Sequence, residues 1–149
     1  MWDSLFNLIA SLLKALLSIA AFIVVVGIPI TIIERMRFKK LARERAGLSI
    51  CQFARSFNYR RVDTKIIRAV YEGLQGWVGN GIRNFPVVAK DDIAKVYRLI
   101  DEDLEEFAEE VASQTHRRWD DLEVNPLYGR VTTVEDLVLF LHFQPKIIS

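Results

Sequence analysis

Hydrophobic positions run along this chain in two different ways. From Leu5 to Ile33 they are almost unbroken, with 22 of 29 residues apolar and Lys14 the only charge. Beyond Asp63 they recur instead at the three-and-four spacing of a helix with one buried face. Ile66, Ile67, Val70, Tyr71, Leu74, Trp77 and Val78 mark one such helix, with Asp63 as its N-cap and Gly79-Asn80-Gly81 as its stop. Phe85-Pro86-Val87-Val88 reads as extended, because the residue before proline avoids the helical region. Asp91-Asp92 opens a short helical piece, Ile93 to Tyr97. A second helix, from Asp101, places Phe107, Ala108, Val111, Ala112 and Thr115 on one face. A third starts at Thr132-Thr133, where Thr132 and Glu135 have capping-box spacing, and carries Val134, Leu137, Val138, Phe140 and Leu141 inward.

The unbroken segment has a different meaning. Its uncharged part, Ala15–Ile33, is 19 residues long, about 29 Å as a helix, which matches the hydrocarbon core of a bilayer. A cleaved signal peptide needs a positive start, and the first charged side chain here is Asp3. The expectation is a retained transmembrane helix over residues 1–33, kinked near its inner end by Pro29. Ser4, Asn7, Ser11, Lys14 and Ser18 fall on one stripe of its first half. That stripe suits either an interfacial turn with Lys14 reaching the head groups, or a seam between membrane helices.

Charge divides the chain into three blocks. The total is +1, yet residues 1–33 carry 0, residues 34–61 carry +7 and residues 62–149 carry −6. Arg35, Arg37, Lys39, Lys40, Arg43 and Arg45 follow the apolar segment directly, which predicts that they lie at the membrane surface on the cytoplasmic side. The C-terminal residues would then be a cytoplasmic domain of a single-pass cell-membrane protein. So basic a stretch also suits nucleic acid, but charge that begins at the membrane face is explained by anionic lipid. Membrane lipid, and not nucleic acid, is the expected partner there. Glu34–Ala46 reads as helical up to Gly47, and Ser49 can cap a further short helix.

Little in the composition speaks for catalysis. A single cysteine, Cys51, excludes an intrachain disulfide framework and reads as a small buried hydrophobe. His116 and His142 are distant in sequence and read as solvated or capping side chains. There is no Gly-rich phosphate loop and no recognisable nucleophile–base motif. Trp77, Tyr97, Phe107 and Trp119 read as core aromatics. The expectation is no catalytic residue, no metal and no cofactor. The remaining concentration of chemistry is acidic: Glu102, Asp103, Glu105, Glu106, Glu109 and Glu110 crowd the helix that starts at Asp101. Their spacing matches no calcium loop.

The order of these elements, with Asp101-Glu102-Asp103-Leu104 opening the acidic helix and Val131-Thr132-Thr133-Val134 opening the last, resembles the acyl carrier protein family over about residues 62–143. The resemblance implies a small antiparallel helical bundle in an all-α chain, and partner contact through the acidic helix. In that family an Asp-Ser-Leu triplet carries phosphopantetheine on its serine. Asp103 stands at that position here, and a carboxylate cannot form the phosphodiester. Ser113 lies too far into the helix, and Asp3-Ser4-Leu5 opens the membrane segment. The whole reading is therefore a transmembrane helix (1–33), a basic juxtamembrane helical collar (34–61) and a carrier-like domain (62–149). The domain would bind an unidentified basic protein partner through its acidic helix without catalysis. The alternative is a structural membrane component that forms homo-oligomers through its polar stripe.

Overall fold

A computed structural model describes residues 2–58, 60–79, 82 and 84–147, with side chains from Phe6 onward. Asn80, Gly81 and the side chains of Asp3 and Ser4 lie outside the described residues. The chain is all-helical: α1 (Trp2–Phe22), α2 (Ile28–Glu44), α3 (Ile50–Arg55), α4 (Thr64–Val78), α5 (Asp101–Gln114) and α6 (Val134–Phe143). It divides into two compact units, residues 1–41 and 42–149. The basic collar is thus shared between them.

In the first unit α1 and α2 run into one another through a π-helical turn, Ile23–Gly27. Pro29 has no N–H for the carbonyl of Val25, four residues back, and its ring crowds that carbonyl. A wider turn placed just before the proline accommodates both defects. The irregularity therefore sits one turn earlier than Pro29 itself. The stretch Phe6–Glu44 is the one helix among the described residues long and apolar enough to cross a membrane, and the apolar part is wholly uncovered by protein.

The second unit is organised around α4. Asp63 caps it by accepting the Lys65 N–H at 3.0 Å, and Gly79, at φ +69°, ends it. Its face of Ile66, Ile67, Val70, Tyr71 and Leu74 is buried, and α4 touches α3, α5, α6 and the π-helical turn Ile93–Tyr97. Gly73 sets the spacing to α5. A Cβ there would stand 2.9 Å from the Phe107 ring, inside any normal contact. The inward faces of α5 and α6 are buried as the helical spacing requires.

Three expectations need correction. Cys51 is exposed, because Phe53, two residues on and so nearly opposite, takes the inward face of the short α3. Trp77 is 45% exposed, and its Nε1 donates to the Tyr97 carbonyl at 2.9 Å. The α6 capping box is one residue later than expected: Thr133 is the N-cap and Asp136 its partner. Asp136 accepts from both Thr132 and Thr133, while Glu135 pairs with Lys90. These threonine bonds outweigh burial and hold the Asp136 carboxyl below its ordinary value.

Two buried polar networks fasten the loops. In the first, the Asp91 carboxylate accepts both guanidinium nitrogens of Arg45 (2.7 and 2.5 Å), the Tyr97 hydroxyl (2.8 Å) and the Val88 N–H (3.2 Å). Arg45 also donates to the Pro86 carbonyl. Burial, and then the Asp91 charge, push the Tyr97 phenol far above its ordinary value, so it stays a donor. In the second, Arg117 donates to Asp63 at 3.0 Å and to the carbonyls of His142 and Gln144 at 3.0 and 2.8 Å. The His142 Nδ1 faces the Asp63 N–H at 3.5 Å. Burial holds the His142 imidazole below its ordinary value, and the Arg117 charge adds to the effect.

Asp91→Asn keeps the shape of the first network but removes its charge while Arg45 stays in place. The expected loss is about 2–3 kcal/mol, below the range for a fully buried pair because Arg45 is partly exposed. Tyr97→Phe removes one hydrogen bond and should cost about 1 kcal/mol. Urea titration of the full chain in detergent, followed by circular dichroism, measures both. Equal losses would show that the charge on Asp91 is not what holds the loop.

Candidate functional site

The acidic helix is positioned from both sides. Asp101 adopts φ +44°, a conformation that aspartate tolerates better than most residues, and this turns the chain sharply into α5. Its buried face of Phe107, Ala108, Val111 and Ala112 then fixes the helix rotation. The consequence is geometric: Glu102, Asp103, Glu105, Glu106, Glu109 and Glu110 are all exposed. Among the described residues none of the six forms an ion pair. Glu110 accepts a bond from the Gln114 amide at 3.1 Å. Asp103 lies in the first turn of α5, where the helix dipole favours a carboxylate.

Beside this helix runs a groove of about 510 Å³, whose lining includes Leu104, Ala108, Trp119, Tyr128, Leu137 and Phe140. Asp101 and Glu105 also line it, so the apolar surface and the carboxylates are contiguous. Trp119 is half-buried and packs edge-on against Phe140, with ring centroids 6.0 Å apart. Asn125 shapes the loop between them by donating to the Phe140 carbonyl at 2.9 Å and accepting the Leu127 N–H. A second cleft of about 330 Å³ shares Asp101, Leu104 and Val131 with the groove and continues around the start of α5 toward Ile93 and Leu99.

The basic residues expected at the membrane surface do not share one environment. Arg35, Lys39, Lys40 and Arg43 are exposed and Arg37 is half-buried. Arg45 is turned into the globular unit, where Asp91 holds it. Of the polar stripe, Asn7, Ser11, Lys14 and Ser18 are exposed on α1. Among the described residues no three metal-ligating side chains converge. Sequence reasoning missed the groove, because Trp119, Tyr128 and Phe140 come from three segments with no shared periodicity. No family model, curated protein or solved structure matches this chain.

The site combines an apolar trough with exposed carboxylates that form no ion pair among the described residues. Like charges four residues apart on a helix repel by a few tenths of a kcal/mol. Neutralising Glu105→Gln with Glu109→Gln should therefore raise the unfolding free energy of the full chain by that amount. A loss of stability in the same urea titration would show that these carboxylates have structural partners after all.

Proposed function

We propose that this chain is a single-pass cell-membrane protein whose cytoplasmic helical unit is a carrier-like, non-catalytic module that binds a basic protein partner through α5. The observation that carries this reading is that α5 bears six exposed carboxylates and that one of them, Glu105, lines the groove with Asp101, Leu104, Trp119, Tyr128 and Phe140. Carboxylates steer a cationic partner and set its orientation, while an apolar trough supplies affinity. The order α4, extended loop, α5, short 3₁₀ turn (Leu122–Val124) and α6 supports the carrier resemblance. Asp103 at the attachment position supports a module that has kept the binding face without the prosthetic group. Membrane insertion is supported by the uncovered apolar helix, and the cytoplasmic placement by the cations that follow it.

A structural membrane component remains the second reading, favoured by the exposed polar stripe of Asn7, Ser11, Lys14 and Ser18. Crosslinking in detergent separates the two: specific homo-oligomers that survive removal of residues 62–149 would support the structural role.

Charge reversal of Glu105, Glu106 and Glu109 to lysine should abolish recovery of a basic partner with the full-length protein, with the helical circular dichroism unchanged. Affinity for that partner in the unaltered protein should fall with added salt, mainly through a slower association rate. Full partner recovery by the folded triple variant would refute docking through α5. A reporter fused after Ser149 should be active only as a cytoplasmic fusion, and activity of an exported reporter there would overturn the orientation.

A further inference from the structure

A separate cleft, on other residues than the two described above, shares no lining residue with the groove at α5 and has the opposite charge. It has a volume of about 410 Å³ and gathers Arg60, Arg61, Arg117 and Lys146 around the single carboxylate of Asp63. These groups come from four places: the residues before α4, its N-cap, the turn after α5 and the tail after α6. His142, at the end of α6, completes the titratable set. Asp63 accepts from Arg117 at 3.0 Å and lies 3.3 Å from the Lys146 ammonium, so one carboxylate answers two of the four cations. Arg60 and Arg61 are exposed beside it.

Two of the lining residues are deeply buried yet incompletely satisfied. Arg117 is 5% exposed and Gln144 2%, and the Arg117 Nε and the Gln144 Nε2 have no acceptor. A buried donor without an acceptor costs about 1–3 kcal/mol. Both are donors, and the residues that carry them line a cleft with excess positive charge. A ligand rich in acceptors and negative charge answers both features at once. The cleft also opens at the start of α4, a helix of 15 residues, where the backbone dipole favours an anion.

We propose that this cleft binds a phosphoryl group, free as inorganic phosphate or carried on a lipid head group, with Arg60, Arg61 and Lys146 supplying charge and Arg117 and Gln144 the buried donors. A phosphoryl group offers several acceptor oxygens and up to two negative charges, matching this mixture of guanidinium, ammonium and amide donors. Burial lowers the His142 imidazole titration and the Arg117 charge adds to it, so an anion bound beside the ring would raise that titration.

The test uses the full chain in non-ionic detergent, with the His142 ring followed by nuclear magnetic resonance and assigned by His142→Gln. Inorganic phosphate, added at ionic strength held constant with chloride, should raise the His142 pKa saturably. Arg60→Ala with Arg61→Ala alters exposed residues only and should weaken that binding about tenfold or more, with unchanged circular dichroism. Nanodiscs made without free phosphate provide the second arm. A response to phosphatidic acid but not to inorganic phosphate assigns the group to a head group, and the reverse assigns it to a free ligand. No saturable response in either arm, or an equal response from the folded double variant, overturns the proposal.

Discussion

The Asp91 carboxylate is the point on which the globular unit depends. An extended loop joins α4 to α5, and its backbone cannot satisfy itself as a helix does. Asp91 gathers the loop by accepting from Val88 and Tyr97 within it and from Arg45 outside it. Once the loop is held, its carbonyls become useful. Ala89 accepts the Glu135 N–H and Asp91 accepts the Val134 N–H, so two of the orphan donors at the start of α6 find partners. Ile93 donates in turn to the Thr132 carbonyl at 2.9 Å. The same residue therefore ties the chain that enters the unit, the long loop and the first turn of the last helix.

The far end of α6 is held by the complementary device. There a buried cation, Arg117, collects the free carbonyls of His142 and Gln144 and is neutralised by Asp63, which itself caps α4. Burial alone would raise the Asp63 carboxyl, but the Lys65 N–H, Lys146 and Arg117 outweigh it and hold it below its ordinary value. A carboxylate gathers donors at one end of α6 and a guanidinium gathers acceptors at the other. Neither pair is a surface salt bridge of negligible worth, because Asp91 and Arg117 are each 5% exposed in their side chains.

What the sequence discloses follows from which forces are local. The faces of α4, α5 and α6 were legible because amphipathic spacing is a local pattern, and Asp63 and Gly79 were legible because caps are local chemistry. The start of α6 was read one residue early, since Thr132-Thr133 beside Glu135-Asp136 offers two registers with the same spacing. The long-range bond from Glu135 to Lys90 leaves Asp136 for Thr133. Arg45 was legible as a charge but not as a buried one, because counting cations after an apolar span cannot show which of them a carboxylate 46 residues away will capture. Asp91 beside Asp92 read as a helix start. Only Asp92 has that role, accepting the Lys95 N–H at 2.9 Å. The buried positions of α5 leave its six carboxylates exposed, as helical spacing implies. The groove beside them was not legible, since its walls meet only through tertiary structure.

The same distinction bears on how α5 is used. A solvated helix needs charge for solubility, and mixed charge with favourable neighbours serves that end at no cost in repulsion. Instead the charges on the exposed side of α5 are of one sign, while Arg45, Arg117, Lys90 and Arg118 pair with Asp91, Asp63, Glu135 and Asp120. The unit thus spends its available ion pairs on loops and helix ends and leaves one helix uncompensated next to apolar surface. Repulsion among these carboxylates is a cost to the free protein, and under the proposed docking a cationic partner seated along α5 would remove it.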